Sequence, residues 1–109
     1  MSPDGTPEQL AGAAAQTAAT TARLTCTICN QKGLHARAAA RFVKTAGQFD
    51  AEVWVRKNGT AVSGRSIMGL MMLAAGPGTA IELRATGPEA ARAITALADL
   101  ISGGFDETG

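Results

Sequence analysis

The chain has 109 residues, with ten Lys or Arg against nine Asp or Glu, and it is 46% hydrophobic but only 4% aromatic. A formal charge of +1 gives no global pull toward nucleic acid or an anionic membrane, and no apolar run is long enough to cross a bilayer. The length suits one small domain with a thin aliphatic core, near the lower end of sizes that fold without disulfides or a metal.

Residues 1–21 are mostly Ala, Thr, Gly, Pro and Gln with almost nothing large to bury, and are expected to form a disordered extension before a domain over 22–109. The start lacks the basic and compact apolar regions of a secretory signal, so a cytoplasmic protein is expected.

Ala22–Cys29 alternates as a first strand, with Leu24, Cys26 and Ile28 toward the core and Cys29 outward. Cys26 and Cys29 have C-x-x-C spacing, but opposed side chains on a strand cannot hold one ion, and no second cysteine pair exists. No metal site is expected.

Asn30–Leu34 is a loop, and from Ala36 onward Ala39, Phe42, Val43 and Ala46 recur at the spacing of a buried helical stripe. Gly47 stops that helix, and His35, the only histidine, falls at or beside its N-cap. The first amides of a helix have no intrahelical acceptor and carry its positive dipole end, so the space before them favours an anion such as phosphate. The same field disfavours imidazolium, and a neutral ring is a nucleophile whose phosphoryl adduct Arg37 could hold with charge assistance. Spacing alone does not overturn the plainer reading of His35 as an ordinary polar surface residue. Arg41 and Lys44, on the same helix, read either as a basic contact for acidic partners or as a solvated face.

Ala51–Arg56 is a second strand, with Val53 and Val55 on one face and Trp54 on the other; Asn58-Gly59 turns it into a third strand, Thr60–Ser63. Ser66 caps a short helix, Ile67–Leu73, that is apolar nearly all round. Either it packs unusually deeply, or part of it stands in water as a docking patch. Thr79–Thr86 is a fourth strand with Ile81, Leu83 and Ala85 on one face. Gly87-Pro88-Glu89 then opens a last helix whose stripe is Ala90, Ile94, Leu97 and Ile101, ending at Gly103-Gly104. The order predicts an α+β fold of two layers, a four-stranded antiparallel sheet with three helices on one face. So thin a core is ill suited to an enclosed ligand pocket.

Gly33-Leu34-His35-Ala36-Arg37, with Ala39 and Phe42-Val43 beyond it, resembles the active-site signature of HPr, the histidine-containing phosphocarrier of the phosphoenolpyruvate-dependent phosphotransferase system. Ser63-Gly64-Arg65-Ser66-Ile67-Met68-Gly69-Leu70-Met71 resembles the regulatory-serine motif of the same family, at the family's separation from the histidine. The resemblance covers about Ala22 to the last residue. It differs in Ala38, where proline is usual, and in Lys32, where a small polar residue is usual. An alanine after the arginine is similar to the alphaproteobacterial and nitrogen-related (NPr) subtype.

The resemblance implies an open-faced β-sandwich and a monomeric phosphocarrier that is not itself an enzyme and needs no cofactor. It further implies a phosphoryl acceptor at Nδ1 of His35, stabilised by Arg37, with enzyme I as donor and a IIA-type protein as recipient. It implies regulation through Ser66 by an HPr kinase/phosphorylase, and a partner surface of Ala36, Arg41, Ile67, Met68 and Met71. The other reading is a regulatory module of a nitrogen- or carbon-sensing branch, whose phosphorylation state controls partners rather than sugar uptake.

Overall fold

A computed structural model of the chain describes residues 20–107. The expected disorder of residues 1–21 falls almost wholly outside them, and at its boundary Thr21 already belongs to a strand. The described elements are β1 (Thr21–Thr27), α1 (Ala36–Ala46), β2 (Glu52–Lys57), β3 (Thr60–Ser63), α2 (Ile67–Met72), β4 (Ala80–Thr86) and α3 (Ala90–Ser102), followed by a short 3-10 turn at Gly104–Asp106. The four strands form one antiparallel sheet in the order β1-β4-β2-β3. This is the open-faced α+β architecture that the alternation of periods 2 and 3.6 predicts.

The alternation in β2 and β4 divides the sheet into two unlike faces. Val53, Val55, Ile81, Leu83 and Ala85 are buried toward the helices, together with Ala39 and Phe42 of α1 and Ala93, Leu97 and Ile101 of α3. On the other face stand Trp54, Arg56 and Arg84, all exposed. With so few aromatic residues, Phe42 and Phe105 are the largest fully buried side chains, and alanine fills much of the space between helices and sheet. Asn58 and Gly59 both take positive φ in the β2–β3 turn, the backbone that such a hairpin requires.

Four expectations shift in detail. Leu24 is 44% exposed: it pairs with Leu83 and leans to the helix side, but β1 is an edge strand with no neighbour beyond it to complete the cover. β1 ends at Thr27, so the alternation does not carry on to Cys29, whose thiol instead donates to the Ile101 carbonyl at 3.2 Å. The C-x-x-C residues are free thiols in different settings, and burial pushes that of Cys26 up. Pro88 lies in the turn before α3 rather than in its first turn, and Glu89 takes the N-cap position while its carboxylate accepts from the Asp50 amide. Finally, α2 stops at Met72 with Leu73 as its C-cap, where the Lys57 ammonium donates to the Leu73 and Ala74 carbonyls.

Candidate functional site

The loop before α1 is held on its far side by the turn after α2. The Leu34 amide donates to the Ala75 carbonyl at 2.9 Å. Gly33 has φ +63°, and a Cβ built there would lie 2.3 Å from the Ala75 oxygen. Only glycine meets both conditions, so the loop that carries His35 is locked to the exit of the apolar helix α2.

His35 is the N-cap of α1, with extended backbone, and its side chain makes no capping hydrogen bond. The first turn of α1 contains no acidic residue, so its leading amides face the site without a carboxylate over them. The imidazole turns to Glu107 instead: Nε2 lies 2.5 Å from Oε2 of that carboxylate. A carboxylate only accepts, so Nε2 carries the proton, and in the neutral ring the lone pair is on Nδ1. That is the atom at which the family resemblance places the phosphoryl group.

Glu107 is itself oriented. Its Oε1 accepts from Asn30 Nδ2 at 2.9 Å, and the same amide nitrogen donates to the Gly33 carbonyl at 2.9 Å. Asn30 is nearly fully buried, and this one side chain therefore ties the loop, the glycine and the carboxylate together. The Asn30 bond is the first cause holding the Glu107 carboxyl below the usual glutamate range; burial, next in size, opposes it, and the His35 bond and the charges of His35 and Lys32 add to the lowering.

The segment that delivers Glu107 is unusual in its backbone. Phe105 and Asp106 have φ of 56° and 60°, the left-handed region that costs a non-glycine residue about 1–2 kcal/mol each. Full burial of the Phe105 ring offsets that cost, and Arg41 clamps the turn by donating to the Phe105 carbonyl at 2.7 Å, with Asp106 3.6 Å away.

Arg37 stands apart from these bonds. It is exposed, and among the described residues it has no ion pair. With Gln31, Lys32, His35, Arg41, Asp106 and Glu107 it lines an open depression of about 320 Å³. The depression is basic at Arg37, Arg41 and Lys32 and has a nucleophilic ring at its floor, so it can take an anion, attach it to nitrogen and hold its oxygens.

The other residues singled out in the sequence sit as follows. Ser66 caps α2, its hydroxyl accepting from the Gly69 amide at 2.9 Å. Of α2 itself only Leu70 is buried; Ile67 and Met71 are about two-fifths exposed, Met68 73% and Met72 79%. The deep-packing reading of this helix is thereby removed, and Met72 joins the exposed patch. α2 packs against α1, and Ala36 is exposed at the start of α1. Arg41 serves the Phe105–Asp106 turn as well as the depression. Sequence reading missed Asn30 and Glu107 entirely.

Because the Glu107 carboxyl is depressed in the folded chain, its contact is present in full above the ordinary glutamate range and is lost as pH falls through the depressed value. Glu107→Gln keeps one acceptor where the native side chain uses two, so it cannot accept from Asn30 Nδ2 and from His35 Nε2–H together, and the charge is gone. Acid unfolding of the native chain and of Glu107→Gln, followed by circular dichroism, is expected to show stability falling below that range in the native chain and a shallower dependence in the variant. Superimposable profiles would contradict the assignment.

Comparison with known proteins gives the family of the chain. Residues 22–103 match the family model described as PTS HPr component phosphorylation site. The chain is 59% identical over 80 residues to phosphocarrier protein HPr of Neisseria meningitidis, which covers 73% of this chain and 90% of that one. It is 42% identical over 81 residues to phosphocarrier protein NPr of Shewanella violacea, covering 74% and 89%. The crystal structure of HPr-C-His from Thermoanaerobacter tengcongensis superimposes with a TM-score of 0.77 at 43% identity, covering 81% of this chain and 99% of that one. The matched span holds His35, Arg37 and Ser66 but ends before Glu107. A histidine at a helix N-cap, set beside an exposed arginine on an open-faced sandwich, thus comes with a matching family model and close relatives: the chain belongs to the HPr family of phosphocarrier proteins of the phosphotransferase system.

Proposed function

We propose that His35 accepts a phosphoryl group at Nδ1 from enzyme I, itself charged by phosphoenolpyruvate, and passes it to a IIA-type protein. The observation that carries this reading is the hydrogen bond from His35 Nε2–H to Glu107, which in the neutral ring puts the lone pair on Nδ1, in a depression that the exposed Arg37 also lines. In the forward step the Nδ1 lone pair forms the N–P bond as the bond from phosphorus to the enzyme I donor breaks. The imidazolium charge that results is balanced by Glu107, and the equatorial oxygens are held by Arg37 and the first amides of α1. The reverse bookkeeping delivers the group to the acceptor and restores the neutral ring.

Ala36, Arg41, Ile67, Met68 and Met71 form the partner surface in this reading, with Met72 beside them. Flexible, exposed methionines next to the reacting group suit a carrier that must fit a donor and an acceptor in turn. Ser66 is the regulatory position, a target for an HPr kinase/phosphorylase. A phosphate there adds about two negative charges at the end of the apolar helix, where the dipole tolerates them but a docked partner would have to accommodate them. The carrier works as a monomer in the cytoplasm and needs no cofactor.

The likeness to an NPr protein, together with Ala38, supports a second reading in which the phosphorylation state governs partners of a nitrogen- or carbon-sensing branch. A chase experiment separates the two. The phosphorylated chain is mixed with a sugar-specific IIA protein and with a nitrogen-type IIA protein from the same organism, and loss of label is followed. Faster discharge to the sugar-specific acceptor is the expected result for uptake, whereas exclusive discharge to the nitrogen-type acceptor would replace it by the regulatory reading. Ser66→Asp is expected to slow both charging and discharge by about tenfold through the docking surface.

A further inference from the structure

The face of the sheet turned away from the helices has a patterned surface that phosphoryl transfer at His35 does not use. Strand register places Arg23, Arg84, Trp54 and Ser63 in one row across β1, β4, β2 and β3, and Thr25, Glu82, Arg56 and Ala61 in the next. Trp54 is 41% exposed, unusual for the one tryptophan of a chain so short of aromatic residues. Arg23, Arg56 and Arg84 are exposed, and among the described residues none has an ion pair, not even with Glu82, which lies across from Arg56. Trp54, Arg56, Ala61, Glu82 and Arg84 line a depression of about 180 Å³, opened by the small side chain of Ala61.

From this arrangement we infer that the solvent face of the sheet binds a free nucleoside polyphosphate, its base stacked on Trp54 and its phosphates on Arg84 and Arg23. Indole and guanidinium groups offer flat faces to a heterocycle, and forked donors suit phosphate oxygens. Glu82, half-buried with Arg56 across the register and Arg84 two residues along its own strand, accepts from the amino edge of the base and would repel the carboxylates of an acidic peptide. A single aromatic ring and a depression of this size suit one base rather than a strand of them. The inference does not depend on the reading of His35, which lies in the helix layer.

Trp54 reports on its own site, since the chain has no other tryptophan and no tyrosine. The full chain is titrated with ATP and GTP, and separately with adenosine, tripolyphosphate and a single-stranded oligonucleotide, while tryptophan fluorescence is followed. Expected is saturable quenching by the nucleoside triphosphates at concentrations of about 10 µM to 1 mM, weakened about tenfold in Arg84→Ala and in Arg23→Ala. Calorimetry of Trp54→Phe should retain binding and that of Trp54→Ala should lose it, with far-UV circular dichroism and urea unfolding of all four variants close to native as proof of folding. Any of three results would overturn the inference: no saturable change, equal binding of tripolyphosphate, or tighter binding of the oligonucleotide than of the nucleotide.

Discussion

Arg37→Ala should fold as well as the native chain and accept a phosphoryl group roughly 10²-fold more slowly. The two halves of that expectation have separate causes. In the resting protein the guanidinium is exposed and makes no ion pair among the described residues, so removing it changes stability by no more than about 0.5 kcal/mol. In the proposed transfer it meets negative charge on the transferring oxygens, where the loss of one charged donor would be felt in full. Arg37→Lys restores the charge but not the fork and should fall between the two. Rapid-quench charging by enzyme I, beside urea unfolding of the same samples, checks both halves. A rate within about threefold of native would remove Arg37 from the machinery.

Phe42→Ala should cost about 3–5 kcal/mol, a large part of the total stability of a domain this size. Phe42 and Phe105 are the largest fully buried side chains in a core otherwise built of Ala, Val, Leu and Ile. The Phe42 ring reaches beneath Gly64, where an added Cβ would lie 3.2 Å from its Cε1 and 2.8 Å from Val53 Cγ1. Neighbours that small cannot collapse into the space a lost ring leaves, so the cavity term adds to the transfer term. Phe42→Leu, closer in volume, should cost less than half as much. Urea denaturation measures both; a loss below about 1 kcal/mol for Phe42→Ala would mean that α1 is held mainly by other contacts.

The residues of this site divide by how far along the chain their partners lie. His35, Gly33, Arg37 and the stripe of Ala39, Phe42 and Ala46 are legible because a loop, a cap and a helix are local events that repeat at fixed spacing. The hairpin at Asn58-Gly59 and the faces of β2 and β4 are legible for the same reason. Glu107 is not, since it meets His35 across 72 positions of sequence and arrives on a turn with left-handed Phe105 and Asp106, conformations those residue types rarely adopt. Read alone, Gly103-Gly104 is a helix stop; what makes the next residues structural is the burial of Phe105, a tertiary fact. Asn30 likewise reads as loop polarity until Glu107 and the Gly33 carbonyl are both within its reach. Leu24 shows the converse limit: alternation gave its side of the sheet correctly, but exposure depends on β1 being an edge.

Phosphoryl acceptance at His35 can be tested most directly by intact-protein mass after incubation with enzyme I and phosphoenolpyruvate, for the native chain and for His35→Ala, each with and without acid treatment. Expected is one added phosphoryl group on the native chain, removed by acid, and none on His35→Ala. An acid-stable adduct, or an adduct that survives the loss of His35, would contradict it.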